Sequence, residues 1–504
     1  MHSQPSSRSR RLRQRLQYLV ALVAAVLLLG LIGSIMGPAW QPEELQRQLT
    51  VASPDPRIVT PTGAHAPSSY QVSTSDLTVE LPGGSITARL TAPVGAPDGA
   101  PGILLLHGAG TAGHNNFADQ AHALAAAGVY VLVPDKGLDT YDTRDRDYVG
   151  MARDYLRSWE LLADVDGVNP AAVSVYGESE GAWIAPIMAV LEPDIASLVL
   201  ISAPVVPPRE QFAFAMDNYL HNTGVPEPVF RVIPRALGAD IPGGGFSYAD
   251  FDVSVWQRQL IQPVLMVYGT ADTSMPLVQG PQQLIEDIAT AGNHSYQVRY
   301  FADANHGIRV DGDLAAGFTE SLTAWIHGLP EVADQSPRIA GDQPTQHYRA
   351  DAVPSPRWFA NGNALVLTSA LPVLLVLAAA GIWVVPALTR RRRPTRFAAP
   401  MGRATCATMV APVAALTVFA AYCLSVADLA LNYRTNAWIV TGGWVAVEVA
   451  ALAATAVLIY SIGLGVQHMG SIRPLGKLVW WLAHVGSFGL LVQAAYWGVF
   501  PVIA

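Results

Sequence analysis

Long apolar runs flank a mixed polar region in this chain, one near the N-terminus and four near the C-terminus. Each is close to the roughly 20 residues that a helix needs to cross a bilayer. Runs placed almost back to back are poorly explained as core helices of a soluble domain. The pattern therefore predicts membrane spans at Tyr18–Met36, Ala364–Leu388, Cys406–Leu431, Trp438–Ile462 and Leu478–Ile503, the last four forming a four-helix region over 362–504.

Between these runs, residues 70–328 alternate short apolar strands with helices. Pro82-Gly83-Gly84 predicts a hairpin turn that opens the domain. The predicted strands are Leu77–Leu81, Ile86–Thr91, Ile103–Leu106, Val129–Val133, Ala172–Tyr176, Leu198–Ile201, Val264–Tyr268 and Tyr296–Phe301. The predicted helices lie near Asn116–Ala127, Tyr148–Ala163, Pro281–Ala289 and Leu314–His327, with another after Ser179. Such alternation predicts an α/β domain with a mainly parallel sheet and an antiparallel start.

Polar segments bound and interrupt this domain. Residues 52–69 and 329–357 are rich in proline, serine, aspartate and glutamine and have no apolar periodicity, which predicts linkers over 38–69 and 329–361. Residues 203–262 separate two predicted strands by far more than an ordinary loop. We predict an inserted cap over the active site, with aromatic residues that line an acyl-binding pocket. The alternative is a surface insertion with its own small core.

Composition supports a membrane protein. Charged residues make up only 14% of the 504 residues, against roughly 25% in soluble proteins. The net charge of -8 gives no reason to expect nucleic-acid binding. Both cysteines, Cys406 and Cys423, lie in one apolar run. The polar middle therefore has no disulfide, no zinc-ligand spacing and no cysteine nucleophile.

The basic residues predict the orientation, because short cytoplasmic loops are enriched in Lys and Arg. Arg8–Arg15 assign residues 1–16 to the cytoplasm, followed by a span at 17–37 that we predict to be an uncleaved anchor, a signal peptide being the alternative. Arg390–Arg393 with Arg396 follow the second span, and Arg473 with Lys477 precede the last. All agree on a multi-pass protein of the cell membrane whose catalytic domain is extracytoplasmic.

The motif Gly177-Glu178-Ser179-Glu180-Gly181 joins a predicted strand to a predicted helix. A G-x-S-x-G sequence in this strand–turn–helix context is typical of a nucleophile elbow, where glycines let the strand and helix approach closely. An ordinary glycine-rich turn is the alternative. The context favours Ser179 as a nucleophile.

A second signal is the segment Leu104–Gly110, in which a buried strand ends in His-Gly. In folds that carry a nucleophile elbow, the loop after such a strand supplies a backbone N–H to the oxyanion hole. We predict that the backbone N–H groups of Ala109 and Glu180 form the oxyanion hole, with Gly108 as a weaker alternative to Ala109. His107 is predicted to be structural.

HGAG after a strand, GESEG at an elbow, then YGTADT and ADANHG resemble the α/β-hydrolase superfamily. The elbow helix is similar to those of the dienelactone hydrolase and prolyl-oligopeptidase-like branches. The resemblance covers about residues 70–328, leaves the spans unexplained and departs at Glu178, where many relatives have histidine. It implies an α/β-hydrolase fold.

The superfamily order Ser, Asp, His implies the partners of Ser179. Asp272 follows one predicted strand and is the preferred acid, while His306 follows the next and is the base. Asp303 is a competitor for the acid role, although its nearness to His306 favours a loop-bracing carboxylate.

These residues predict an extracytoplasmic hydrolase or acyltransferase that acts on carboxylic esters through an acyl-enzyme. It needs no metal or cofactor. Small-molecule or lipid esters are the expected substrates and membrane lipid the expected surroundings, while coenzyme A thioesters do not suit an outer domain. A prolyl-oligopeptidase-like peptidase is one alternative. A transport or envelope-assembly factor that uses the domain as a binding module is another.

Three ionisable residues lie within the predicted spans, namely Asp428, Glu448 and His484. Asp428 is close to the predicted outer interface. Glu448 lies nearer mid-membrane, where a charge is costly and usually functional or paired. Helix packing through a protonated or hydrogen-bonded carboxyl is the favoured interpretation of Glu448.

Overall fold

A computed structural model describes residues 7–59, 69–110, 113–240, 245–357, 361–388, 397, 399–432 and 434–501. The chain divides into two compact units. The sheet unit comprises 42–215 and 244–352, and the helical unit comprises 1–41, 216–243 and 353–504. The predicted cytoplasmic arginines at 390–396 and residues 60–68 of the first linker lie outside the described residues.

One mixed sheet runs through the sheet unit, with nine strands among the described residues. The strands are β1 Gln71–Leu81, β2 Gly84–Val94, β3 Ala100–Leu106, β4 Tyr130–Pro134, β5 Val168–Glu178, β6 Leu198–Ile201, β7 Val264–Gly269, β8 Tyr296–Phe301 and β11 Ile339–Gly341. Their order in the sheet is β1-β2-β4-β3-β5-β6-β7-β8-β11. β1 and β2 form the antiparallel start, β2 pairs antiparallel with β4, and the remaining pairs are parallel.

Helices cover both faces of this sheet, so its central strands are buried on two sides. Along β3, Leu104 and Leu106 belong to one core, whereas Ile103 and Leu105 belong to the other. Strands buried on both faces read as continuous apolar runs, which is why Leu104–Leu106 contains no polar residue. The helices that supply the two cores are α3 Tyr148–Ala163, α4 Gly181–Leu191 and α8 Gln279–Thr290 on the first, and α2 Ala118–Ala126 and α9 Phe318–Gly328 on the second.

The strand order, together with a sharp strand-to-helix turn after β5, is that of the α/β-hydrolase fold. The fold class predicted from the alternating pattern is confirmed. The last helix begins four residues later than predicted, at Phe318, because Asp313–Leu314 (β10) pairs with Arg309–Val310 (β9) in a small hairpin.

The predicted linkers carry more structure than their composition indicated. Ile339–Gly341 forms the edge strand β11, which pairs parallel with β8. Ala52 N–H donates to the Ile339 carbonyl, and Gly341 N–H donates to the Ser53 carbonyl. Parts of both segments therefore extend the sheet unit instead of connecting it loosely.

Among the described residues of the helical unit, five helices are long and apolar enough to cross a membrane. They are α1 Ser7–Ile35, α10 Gly362–Leu388, α11 Ala399–Leu431, α12 Gly443–His468 and α13 Pro474–Tyr496, with a π-helical turn at Trp438–Gly442 before α12. The core of this unit is formed by α10, α11 and α13, which pack Val376, Met409 and Val479 together. α1 packs against α12 and α13.

Residues 216–243, in the middle of the predicted cap, belong to the helical unit. Arg235 is fully buried there and donates to the backbone carbonyls of Gly37, Pro38 and Tyr496. The Gly362 amide also donates to the Asp240 carbonyl. These residues therefore pack on helix ends within the helical unit, and the cap over the active site stays a prediction.

The ionisable residues of the spans occupy different positions. Glu448 is exposed on the surface of the helical unit and accepts from the Trp444 indole N–H at 3.0 Å. Asp428 pairs with Arg434 at 2.7 Å near the end of α11. His484 alone is buried among these three, and its Nε2 lies 2.9 Å from Ser461 Oγ.

Candidate active site

Ser179 occupies the sharp turn between β5 and α4. Its φ of 55° lies in the left-handed region, which costs energy for a residue with a side chain. A Cβ on Gly177 would lie 2.5 Å from the Gly181 carbonyl oxygen, and one on Gly181 would lie 2.8 Å from that of Leu106. The glycines at both ends of the motif are therefore required by close backbone packing. The Ser179 side chain remains partly exposed.

The loop after β3 lies directly beside this serine. A Cβ placed on Gly108 would be 3.3 Å from Ser179 Cβ and 3.8 Å from its Oγ. Among the described residues, the amides of Ala109 and Glu180 donate no hydrogen bond. His107 is buried behind the loop, where its Nε2 lies 2.8 Å from the Pro134 carbonyl oxygen, and burial lowers its pKa to about 4.

His306 and Asp272 form a close pair at the ends of β8 and β7. His306 Nδ1 lies 2.8 Å from Asp272 Oδ2, and the carboxylate is fully buried while the imidazole is 30% exposed. The other carboxylate oxygen accepts from the Ser274 amide at 2.8 Å. Asp303 is exposed, and its amide donates to Thr270 Oγ1. Asp272, not Asp303, therefore lies against the imidazole.

The end of β6 connects the serine to this pair. Ser179 N–H donates to the Ile201 carbonyl at 2.9 Å, and the next residue, Ser202, donates through Oγ to the His306 carbonyl at 2.8 Å. Ser202 also hydrogen-bonds to the Asp272 side chain. Sequence reasoning missed Ser202, whose only local signal is its position directly after an apolar strand.

His306 and Asp272 each favour the charged form of the other. Burial disfavours both charged states, but the Asp272 carboxylate outweighs it and raises the pKa of His306, with a smaller contribution from Glu178. Burial likewise opposes ionisation of Asp272, whose pKa is nevertheless lowered by His306 and by hydrogen bonds from Ser274 and Ser202. The pair is suited to stabilise a positive imidazolium.

Glu178 gives this elbow a carboxyl group immediately before the serine. The Tyr176 hydroxyl donates to its Oε2 at 3.1 Å. Burial raises the pKa of Glu178, against the influence of His306 and of the Tyr176 hydrogen bond. The position where many relatives have histidine thus places a second acid near His306.

On the other side of the serine, Glu180 carries a fully buried carboxylate that meets two cations. Lys136 Nζ donates to Glu180 Oε2 at 2.9 Å, and Arg146 pairs with Oε1. The Tyr148 hydroxyl lies 3.3 Å from Oε1. Burial lowers the pKa of Lys136, although the Glu180 carboxylate opposes this effect.

This cluster was not anticipated from the sequence. Lys136 lies in the Asp135–Gly137 turn after β4, and Arg146 lies in the charged loop Asp139–Asp147, which has no periodicity. One usable signal was present, since a carboxylate predicted to follow the nucleophile at a buried helix start requires a cationic partner.

Neither a protein-family model nor a curated protein sequence matches this chain. Solved structures do match. An esterase of Pyrobaculum calidifontis shares 17% identity over 65% of this chain and 94% of its own, with a TM-score of 0.37. Carboxyl esterase 2 of Tuber melanosporum shares 18% identity over 51% of this chain and 88% of its own, with a TM-score of 0.38. Dipeptidyl peptidase 4 of Porphyromonas gingivalis shares 15% identity over 48% of this chain and 33% of its own, with a TM-score of 0.35. At this level of similarity the solved structures carry no functional argument, so the function of this chain is inferred from the residues of its own site.

Proposed function

We propose that this protein is a membrane-anchored serine hydrolase that cleaves or transfers the acyl group of carboxylic esters. The observation that carries the proposal is one arrangement at the sheet edge. Ser179 stands on a strained elbow beside the Gly108 loop, and the His306–Asp272 pair follows the neighbouring strands β8 and β7. Strain at an exposed serine hydroxyl is typical of a nucleophile elbow.

In the proposed mechanism, His306 removes the proton of Ser179 Oγ as the oxygen attacks the ester carbonyl carbon. The amides of Ala109 and Glu180 donate to the oxyanion that forms. The C–O bond to the alcohol then breaks, and the imidazolium returns its proton to the leaving alcohol. Water or an acceptor alcohol repeats the sequence on the acyl-enzyme and frees Ser179. Asp272 fixes the tautomer of His306 and stabilises its charge.

The decisive experiment replaces Ser179 with alanine in the full-length protein in detergent. We expect hydrolysis of short p-nitrophenyl esters to fall by about 10⁶, because a triad loses most of its effect with its nucleophile. A fluorophosphonate probe should label wild type and not Ser179→Ala. Ser85→Ala, on the exposed hairpin, is the matched control and should keep full activity. Unlabelled but folded wild type would instead favour the binding-module alternative.

We further propose that the sheet unit faces the outside of the cell membrane. The five arginines of Arg8–Arg15 precede the first span, and five more follow the second at 390–396, which the positive-inside bias assigns to the cytoplasm. Alternating spans then bring the C-terminal ends of α1 and α13 to the same side. Consistent with that alternation, Arg235 binds the carbonyls of Gly37 and Tyr496, which follow these two helices or end them.

Cysteine labelling tests this orientation in a variant that lacks Cys406 and Cys423. Asp98→Cys probes an exposed turn of the sheet unit, and Ser471→Cys probes the loop between α12 and α13. An impermeant maleimide on intact cells should label the first, and should label the second only after permeabilisation. The reverse pattern would put the sheet unit in the cytoplasm and readmit coenzyme A thioesters as substrates.

A further inference from the structure

Lys136 bridges the two backbone segments that hold the proposed oxyanion donors. Its Nζ donates to the Gly108 carbonyl at 2.7 Å and to Glu180 Oε2 at 2.9 Å. The lysine side chain is 1% exposed and lies over the Tyr141 ring, with Nζ 4.2 Å from the ring centroid. A buried ammonium is costly unless it is paired and hydrogen-bonded. These contacts satisfy Lys136 and connect the Gly108 loop with the elbow.

The Gly108 carbonyl and the Ala109 N–H belong to the same peptide group. In a trans peptide the C=O and N–H bonds point in opposite directions. A carbonyl held toward Lys136 therefore turns the Ala109 N–H away from the lysine. The loop borders Ser179 closely, since a Cβ placed on Gly108 would lie 3.3 Å from Ser179 Cβ. An ammonium on the carbonyl also polarises the amide, which strengthens its N–H as a donor.

A second contact holds the peptide on the other side of Ala109. Gly110 N–H donates to the Tyr141 hydroxyl at 2.7 Å, and Gly110 has a φ of 105°. The same Tyr141 ring lies beneath Lys136 and Arg146. The loop is thus fixed on both sides of the proposed donor by one cluster.

We propose that Lys136 is a positioning residue that preorganises the oxyanion hole by orienting and polarising the Gly108–Ala109 peptide, with Glu180 as its counter-ion. This inference rests on the proposed serine-hydrolase function. Donors fixed before the reaction stabilise the oxyanion without the cost of reorganisation. The carboxylate of Glu180 has a separate task from its backbone amide, since the side chain keeps the buried cation neutralised while the amide faces the substrate.

The test is a double-mutant cycle in the full-length protein. Lys136→Met removes the ammonium but keeps an unbranched chain, and Glu180→Gln removes the countercharge but keeps the amide donor. Lys136→Met alone should lower both stability and kcat, because it leaves a buried carboxylate with one cation fewer. In the double variant we expect no further loss of kcat, because the Glu180 carboxylate affects kcat only through Lys136, while thermal stability should fall further, because Arg146 also loses its counter-ion. A residue with only a structural role would let kcat fall together with stability.

The expected loss of kcat in both Lys136 variants is between about tenfold and a hundredfold, less than removal of a whole donor. KM should change by no more than about threefold, and binding of a boronic-acid transition-state analogue should weaken by the same factor as kcat. Arg258→Met is the control, because it breaks a pair with the buried Asp287 on α8. It should lower stability and leave kcat unchanged.

The two proposals can fail separately. Wild-type kcat in Lys136→Met, combined with an inactive Ser179→Ala, would overturn the positioning role alone. Substantial activity in Ser179→Ala would overturn the serine-hydrolase function itself. Unchanged boronic-acid affinity with a reduced kcat would also contradict preorganisation of the oxyanion hole.

Discussion

Buried polar side chains are held differently in the sheet unit and in the helical unit. The sheet unit pairs several buried charges with an opposite charge, as in Lys136–Glu180, whereas Arg299 is held by backbone carbonyls. The buried polar side chains of the described spans are Thr, Ser, Gln and His, and several of them bond to their own helix. Thr405, Thr408 and Thr455, for example, each donate to the carbonyl four residues earlier. Among the described residues of the five spans, no buried side chain is an Asp, Glu, Lys or Arg.

This difference favours separate roles for the sheet unit and the helical unit. Charges in a lipid-exposed helix are expensive and usually mark a functional path, and the described spans bury none. In the sheet unit, the buried pairs His306–Asp272 and Lys136–Glu180 instead lie at the sheet edge that carries Ser179. The difference favours the sheet unit as the site of reaction and the helical unit as its support. Outside the spans, the helical unit buries Asp217, Arg231 and Arg235, and Arg235 is held by carbonyl groups and not by an acid.

After the loss of the Ser179 nucleophile, the largest effect should come from the acid beside His306. Asp272→Asn keeps the shape but lets the imidazole adopt the wrong tautomer, so kcat should fall by about 10⁴. Asp303→Asn is the matched control, because that carboxylate is exposed and away from the imidazole. We expect less than a tenfold change in the control, measured with p-nitrophenyl esters. The opposite ranking would transfer the acid role to Asp303.

Arg235 provides the next test, because it is a fully buried cation of the helical unit. Burial and the neighbouring Arg231 lower its pKa to about 10, which leaves it charged at neutral pH. Arg235→Met would orphan three carbonyls, and each buried acceptor without a partner costs about 1–3 kcal/mol. We expect the free energy of unfolding in detergent to fall by about 3 kcal/mol. Arg434→Met, which breaks an exposed pair with Asp428, should cost under about 1 kcal/mol.

Unchanged kcat of the folded Arg235→Met protein, despite its lower stability, would support the division between support and chemistry. A loss of kcat as large as that in Asp272→Asn, without unfolding, would contradict it. Residues 216–243 fall in the helical unit. Comparing stability and kcat in Arg235→Met therefore also tests whether this inserted segment stabilises the helical unit and has no part in the reaction.

The pH profile gives a smaller, directional effect. His306 must be neutral to act as a base, and Asp272 and Glu178 both raise its pKa. Activity should therefore fall as pH drops through a value above that of an ordinary histidine. Glu178→Gln removes one of these negative groups but retains an acceptor for the Tyr176 hydroxyl. The acidic limb of kcat/KM should then move to lower pH, with a gain of several-fold on that limb, while an unmoved limb would exclude Glu178 as a contributor.

Local patterns predicted what lies at strand ends and in long helices. Ser179, Asp272 and His306 each follow an apolar strand, so the sequence places them at one sheet edge even before a structure is known. The spans likewise follow from length and hydropathy alone. Contacts made by irregular segments could not be predicted in this way. Arg146 reaches Glu180 from a loop without periodicity, and Ile339–Gly341 is too short to show a strand pattern.

Ser461 should give the smallest effect, and it tests the comparison from the side of the helical unit. Its hydroxyl lies 2.9 Å from His484 Nε2, while His484 Nδ1 lies 2.7 Å from the Trp480 carbonyl oxygen. Ser461→Ala removes one neutral bond between α12 and α13, and such bonds are worth about 0.6 kcal/mol in membrane proteins. Ser425→Ala, where the exposed hydroxyl bonds only to its own helix, is the control and should have no measurable effect. Both are read from unfolding in mixed detergent micelles. A cost of several kcal/mol for Ser461→Ala would contradict this expectation. It would mean that neutral polar hydrogen bonds stabilise the spans as strongly as ionic pairs stabilise the sheet unit. The two units would then differ only in the type of buried group.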